Sequence, residues 1–218
     1  MSDKYPRTFH APLSPGCTSD DKRAEDISGL LGEQVVITEK IDGSNVCFTS
    51  EAVFARSHNG PPTHRSFDLA KQIHSTVKGE IPPGISVFGE YAYALHSIPY
   101  TKLPGYFMIF GVRDDTKGFW FSWWGVQEMA KTLNLPTVPV LLYGRFDSEK
   151  HLNGWIKSEM STESKVGSPE KEGLVVRVTD AFSDEEFSAR VAKYVRANHV
   201  TSSEHWAHQT ITQNGLAK

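Results

Sequence analysis

The stretch Val35-Val36-Ile37-Thr38-Glu39-Lys40-Ile41-Asp42-Gly43-Ser44-Asn45 decides how the rest of the chain is read. Its apolar, β-branched first part predicts a buried strand over Val35 to Glu39. Asp42-Gly43-Ser44 forms a loop, and Gly43 permits backbone conformations and a close approach that a side chain would forbid. A second strand, Val46 to Thr49, follows, so Lys40 stands exposed at a strand end. A Lys-x-Asp-Gly tetrad arises by chance in roughly one chain in twenty of this length, from average residue usage. Alone it is more simply a surface lysine beside an Asp-Gly turn.

Outward from that stretch, Val53 to Arg56 is a short strand joined to the previous one by a tight turn at Ser50-Glu51. Phe67, Ala70, Ile73 and Val77 recur at helical spacing, which predicts an amphipathic helix over Ser66 to Gly79, stopped by Gly79 and Pro82-Pro83. Ile85 to Ala94, Tyr106 to Arg113 and Gly118 to Ser122 return to strand, and Trp124 to Leu133 is a helix ended before Pro136. Val138 to Tyr143, Gly173 to Val178 and Ala189 to Val195 are further strands. Residues 1–33 read as an extended segment with turns at Pro12, Pro15 and Gly16. Residues 199–218 read as a polar terminal helix or tail, whose three histidines are solvated. Many short strands with few helices predict an α+β fold with antiparallel sheets, organised as one domain over 1–218.

Charged residues make up 22% and aromatics 11% of the 218 residues, ordinary for a globular protein. No run of eighteen apolar residues suggests a membrane span, and the N-terminus lacks the apolar core of a secretory signal. Cys17 and Cys47 suit a reducing, cytoplasmic setting, with Cys47 in the core. Trp120, Trp123 and Trp124 read as packing residues. The net charge of −3 and pI of 6.3 argue against a large static grip on nucleic acid but leave room for a local basic groove. Whether Lys102, Arg113, Lys117, Arg190 and Arg196 share a face is not written in the sequence. The nine histidines and two cysteines show no zinc spacing, and no glycine-rich P-loop is present.

Lys40-Ile41-Asp42-Gly43 is followed in order by Phe88-Gly89-Glu90, Tyr106-Phe107-Met108-Ile109-Phe110, Glu172-Gly173-Leu174-Val175-Val176-Arg177 and Ala192-Lys193-Tyr194-Val195-Arg196. That succession, from about Val35 to Arg196, resembles the covalent nucleotidyltransferases: DNA ligases, RNA ligases and mRNA capping enzymes. The resemblance implies a nucleotidyltransferase (ligase adenylation domain) fold of two antiparallel sheets flanked by helices, with ATP in the cleft between them. Larger relatives carry an OB-fold after this point. Only 22 residues follow Arg196, so no OB-fold domain is expected. Asn45 stands where RNA ligases of the phage and bacterial type carry Asn and DNA ligases typically carry Arg.

By this resemblance Lys40 is the nucleophile that attacks the α-phosphate of ATP and becomes lysyl-AMP. A free lysine has a pKa of about 10.4, so a neighbouring cation or metal and partial desolvation have to lower it. Asp42 and Gly43 close the loop, and Glu39 helps to recognise adenine. Arg56 is either a ribose-phosphate contact or a lone exposed arginine, and Phe110 either stacks on adenine or joins Phe107 in the core. Glu90 contacts the ribose or holds metal-bound water, and Glu172 organises the catalytic Mg²⁺ or Mn²⁺. The segment from Tyr91 to Tyr100 resembles a small bacterial and phage subgroup of RNA ligases, where His96 is either structural or an RNA contact. Lys193 meets the α-phosphate. The family usually places a second lysine two residues away, but Val191 and Val195 stand there, so that cation is either absent or supplied by Arg196.

The implied function is an ATP-dependent RNA ligase that joins RNA 3′-OH and 5′-phosphate ends, in RNA repair. Its partners are RNA and ATP, with a homo-oligomer or an accessory RNA-binding partner as a means of adding affinity. A small DNA or templated-nick ligase is the nearest alternative. A nucleotide- or RNA-binding module without turnover is the alternative of another class, and the incomplete Lys-x-Lys pattern is its only support.

Overall fold

The computed structural model describes residues 2–19, 21–197 and 211–218. Along the chain run strands β1 (Phe9–His10), β2 (Gln34–Lys40), β3 (Ser44–Phe48), β4 (Val53–Ala55), β5 (Ile85–Tyr91), β6 (Phe107–Asp114), β7 (Phe119–Trp120), β8 (Val140–Arg145), β9 (Gly173–Val178), β10 (Phe182–Ser183) and β11 (Val191–Val195). One sheet has the order β1-β11-β9-β2-β8 and the other β10-β7-β6-β5-β3-β4. The fold is α+β with two mostly antiparallel sheets, as the strand pattern predicts. The departure is β1, which pairs in parallel with β11.

Strand β2 sits between β8 and β9, and its Val35, Val36 and Ile37 are all fully buried. Two buried faces explain why it reads as a continuous apolar run and not as an alternation. Helix α1 (Asp68–Val77), with a 3₁₀ turn at each end, fills the predicted 66–79 and buries Ala70 and Val77. Helix α2 (Trp123–Thr132) starts at Ser122, whose hydroxyl accepts the Gly125 N–H. Trp120 and Trp123 are core residues. Trp124 is not: at 59% exposed it stacks on Tyr143 from outside, because the next helical position points about 100° away from its neighbour.

Helix α3 (Glu149–Met160) is unexpected. Ser148 caps it by accepting the His151 N–H, and Leu152 and Ile156 bury an i, i+4 pair. That pair was visible in the sequence but is diluted by Asn153 and Gly154, weak helix formers in its middle. The short α4 (Phe187–Arg190) leads into β11.

The N-terminal segment is extended but is not peripheral. The Tyr5 ring lies 5.0–5.3 Å from Phe88, Phe110 and Trp120 of the second sheet and from Phe187 beside the first. These contacts, edge-on except for the tilted Tyr5–Phe88 pair, join the two sheets at the root of the cleft. At the other end, residues 198–210 of the expected helix or tail lie outside the described residues. Residues 211–218 run back along the 92–103 segment, where buried Asn214 accepts the Tyr100 N–H and donates to Ala92 O, both at 3.0 Å.

Lys171 is fully buried just before β9, and its ammonium donates to the carbonyls of Glu159, Thr162 and Glu163 and pairs with the Glu159 carboxylate at 3.2 Å. This one cation collects the unsatisfied carbonyls at the end of α3. Replacing it by methionine keeps the stem but leaves those acceptors without a donor. Lys171→Met is expected to destabilise the protein by about 2–4 kcal/mol in denaturant titration.

Candidate active site

Lys40 is the last residue of β2 and lies opposite Gly173 in the β2–β9 register. Glu172 immediately precedes that glycine, so strand pairing alone brings the two side chains to the same sheet end. The Lys40 ammonium lies 2.7 and 2.8 Å from the two Glu172 carboxylate oxygens. Lys40 is 26% exposed to the cleft, whereas Glu172 is 5% exposed. Burial alone would lower the lysine pKa, but the carboxylates of Glu172, Glu90 and Asp42 outweigh it and hold Lys40 as an ammonium.

Glu90 reaches the same point from β5, where it is paired in register with Asn45 of β3. Burial, together with the Glu172 and Asp42 carboxylates, pushes Glu90 up to about 8, although Lys40 draws it down. Three carboxyl groups thus crowd one ammonium, and the rise of Glu90 reflects that crowding. Hard carboxylate oxygens so gathered fit a divalent cation such as Mg²⁺ or Mn²⁺, with Glu172 and Glu90 to hold it. Among the described residues no group of three or more metal-binding side chains converges, so water and phosphate oxygens would complete its shell.

The loop after Lys40 is latched from the far side. The Asp42 carboxylate accepts the Ser97 N–H and hydroxyl at 2.7 Å and the Ile98 N–H at 3.1 Å, and the Asp42 N–H donates to the Tyr100 hydroxyl. His96 Nδ1 stands 3.9 Å from Asp42 while its ring also faces the cleft. Gly43 is needed for close approach and not for a left-handed backbone. A Cβ there would lie 2.7 Å from the Tyr91 carbonyl oxygen, and Gly43 is not among the glycines of positive φ. Gly173 is tighter still, with the Tyr194 carbonyl oxygen 2.0 Å from where its Cβ would be.

These elements enclose a cleft of about 950 Å³. Asn45, Arg56, Glu90, Phe110 and Lys193 all line it. Exposed Arg56 donates to the Tyr5 carbonyl. Phe110 is half-buried, with one side on the core and one on the cleft, while Phe107 is wholly in the core and stacks on Phe48 at 4.1 Å.

Two of the expected side chains are engaged away from the Lys40 ammonium. Glu39 does not offer its carboxylate to a nucleotide: it is buried on the other face of β2, accepting the Ser164 hydroxyl at 2.5 Å and the Lys165 N–H at 2.9 Å. Neighbouring strand side chains point to opposite faces, so the Glu39 carboxylate turns away from the Lys40 ammonium although both residues line the cleft. Of the two readings of the second cation, the placement of Arg196 favours absence from β11. That arginine lies beyond β11, does not line the cleft, and pairs with Glu170 at 2.5 Å.

Sequence reasoning missed the contribution of the N-terminal segment. Asp21 holds the Lys193 ammonium at 3.0 Å and lies 3.3 Å from His10 Nε2. Arg7 and Lys22 also line the cleft, so six cationic residues face it against three acidic ones: Arg7, Lys22, Lys40, Arg56, Arg177 and Lys193 against Asp21, Glu39 and Glu90. By contrast Arg113, Arg190 and Arg196 are spent in ion pairs elsewhere. Only tertiary structure assembles this set, and no local pattern in residues 5–23 announces it.

The RNA ligase family model matches residues 33–195. The chain belongs to that family. No curated protein matches it. Among solved structures it is similar to an archaeal ATP-dependent RNA ligase, at TM-score 0.58 and 15% identity over 88% of this chain and 48% of that one. A variant of the Naegleria gruberi RNA ligase with ATP and Mn gives TM-score 0.57 and 16% identity over 89% and 60%. A putative ATP-dependent DNA ligase from Aquifex aeolicus gives 0.53 and 19% over 88% and 50%. These likenesses establish a shared fold. The RNA ligase family chain spans about half to three-fifths of the length of these neighbours.

His10, 1% exposed, supports the Asp21–Lys193 pair from below, with Nδ1 2.7 Å from the Ser14 hydroxyl. Burial, helped by Lys193 and opposed by Asp21, pushes the imidazole down to about 4. Its pKa is lower folded than unfolded, so its contribution is complete above the unfolded value of about 6.5 and is lost as pH falls towards 4. Between pH 6.5 and 4 the wild type should lose on the order of 1–3 kcal/mol more stability than His10→Gln, measured by denaturant titration at several pH values.

Proposed function

We propose that this RNA ligase family protein is an ATP-dependent RNA ligase that joins a 3′-hydroxyl to a 5′-phosphate through a lysyl-AMP on Lys40. The observation that carries the reading is the Lys40 ammonium held on Glu172 inside a cation-lined cleft, in a chain that matches the RNA ligase family over most of its length.

In the first step the Lys40 amine attacks the α-phosphorus of ATP. A nitrogen–phosphorus bond forms and the bond to pyrophosphate breaks. Lys40 must first lose a proton, and Glu172 Oε1, 2.7 Å away, is within transfer distance. Phe110 stacks on the adenine, which is worth roughly 1–3 kcal/mol per base. Arg56, Glu90 and Asn45 contact the ribose and phosphates from the second sheet, while Lys193 meets the α-phosphate from the first. Asp42 and Gly43 fix the loop that aims the lysine. A divalent cation held by Glu172 and Glu90 would neutralise charge on the transferring phosphoryl group.

In the second step a 5′-phosphate oxygen of RNA attacks the lysyl-AMP phosphorus. The nitrogen–phosphorus bond breaks and Lys40 regains its proton, leaving AMP joined to the RNA end. A 3′-hydroxyl then attacks the RNA phosphorus, forming the phosphodiester and releasing AMP. Repair of broken RNA is the task that such a reaction serves. The Aquifex aeolicus neighbour favours a second reading, sealing of templated nicks with DNA strands, which RNA and DNA versions of one nicked duplex would separate.

With ATP labelled at the α-phosphate and Mg²⁺, the wild type should retain label in a denaturing gel. Lys40→Ala should retain none and seal at least about a thousandfold more slowly, because no other side chain replaces a covalent nucleophile. A folded wild type free of bound AMP that takes no label would leave a nucleotide- or RNA-binding module in place of the ligase.

A further inference from the structure

Strand β11 offers the cleft a single cation. Lys193 is flanked on its own face by Val191 and Val195, and Arg196 is engaged by Glu170. The N-terminal segment brings others to the same place. Parallel pairing of β1 with β11 sets His10 beside Lys193, and the His10 N–H donates to the Lys22 carbonyl at 2.8 Å. Asp21 and Lys22 therefore lie next to Lys193 across one strand.

Their side chains do opposite things. Asp21 turns in and binds Lys193 at 3.0 Å. Lys22 is exposed, its ammonium 5.5 Å above the Phe9 ring. Arg7, also exposed, adds like-charge repulsion to Arg56 across the mouth. Arg7 and Lys22 line both the cleft and a shallower adjoining groove of about 400 Å³, which Lys4 also borders. Like charges gathered where two cavities meet raise the local potential for an anion. Among the described residues, the carboxylates of Asp21 in the cleft and Asp184 in the groove are engaged by Lys193 and Arg113.

We propose that Lys22 and Arg7, together with Lys193, form a phosphate subsite running from the cleft into the adjoining groove, with Asp21 as the counter-ion of Lys193 that an incoming phosphate displaces. The subsite supplies the second cation that β11 lacks. The identity of its phosphate rests on the ligase reading, which offers two sources of the same chemistry: the terminal phosphates of ATP and the 5′-phosphate of RNA.

The test is equilibrium binding in the Lys40→Ala background, where no covalent step intervenes. The probes are inorganic pyrophosphate, a 5′-phosphorylated RNA oligonucleotide and its 5′-hydroxyl counterpart. Lys22→Ala and Arg7→Ala should each weaken a phosphate-bearing probe about two- to fivefold, the size of one exposed charge contact, relative to any change for the 5′-hydroxyl oligonucleotide. Asp21→Asn should tighten the same probe, and this opposite sign separates release of a counter-ion from damage to the segment. Weakening of pyrophosphate alone assigns the subsite to ATP, weakening of the 5′-phosphorylated RNA alone assigns it to RNA, and both together assign it to both. Unchanged binding of both probes in Lys22→Ala and Arg7→Ala, or weakening in Asp21→Asn, overturns the proposal. Absence of labelling on Lys40 with these binding effects intact would remove the ligase reading and leave the subsite standing.

Discussion

The pairing of β2 with β9 is the constraint on which the site depends. It sets Lys40 opposite Gly173 and so brings Glu172, 132 residues away in sequence, to within 2.7 Å of the ammonium. The pairing of β9 with β11 then places Lys193 opposite Val175 on the same face. Gly173 makes this stacking possible, since any side chain there would meet the Tyr194 carbonyl. The Glu-Gly pair is thus a single device: the glycine lets β11 close in, and the glutamate uses the resulting end of β9 to hold the lysine. In the proposed reaction a lysine fixed this way would lose little orientational freedom when a nucleotide arrives, which is where positioning contributes to rate.

The opposite wall is held by different means. Asp42 is latched by Ser97, Ile98 and Tyr100, and Tyr100 is in turn held by Asn214 at the far end of the chain. Tyr5 joins both sheets beneath the cleft. Segments from both ends of the described chain therefore buttress the loop that follows Lys40. Their bonds are non-local, so the order they impose belongs to the folded state and to no isolated piece of it.

This division explains what could be read beforehand. Strands β2, β5, β6 and β9 and helix α1 carry their own periodicity, and the ordered motifs name Lys40, Glu90 and Glu172 without any coordinates. Some placements that differ from expectation follow from a local rule. Period-2 alternation places Glu39 on the face opposite Lys40, and the three-residue spacing of Lys193 and Arg196 separates those two in the same way. Trp124 follows from the helical turn after buried Trp123. Other features had no local signal. Arg7, Asp21 and Lys22 become neighbours of Lys193 only through a two-residue parallel pairing, too short to mark a strand in the sequence. Helix α3 hid behind Asn153 and Gly154.

Overall charge and site charge differ for a physical reason. The chain has 26 acidic and 23 basic residues, yet the cations of its cleft are concentrated because others, Arg113 and Arg190 among them, are neutralised elsewhere. Within the cleft Lys40 and Lys193 each already carry an internal carboxylate, Glu172 on Lys40 and Asp21 on Lys193. An incoming anion therefore exchanges partners with the protein instead of filling an open positive site. A monoanion gains little by such an exchange, since it replaces one carboxylate by another charge of the same size. A polyphosphate or a terminal phosphate dianion brings more charge and more acceptor oxygens, and a divalent cation arriving with it would give the displaced Glu172 carboxylate a new partner. The internal ion pairs thus set a threshold that favours multiply charged phosphate ligands over the chloride and carboxylates present in any solution.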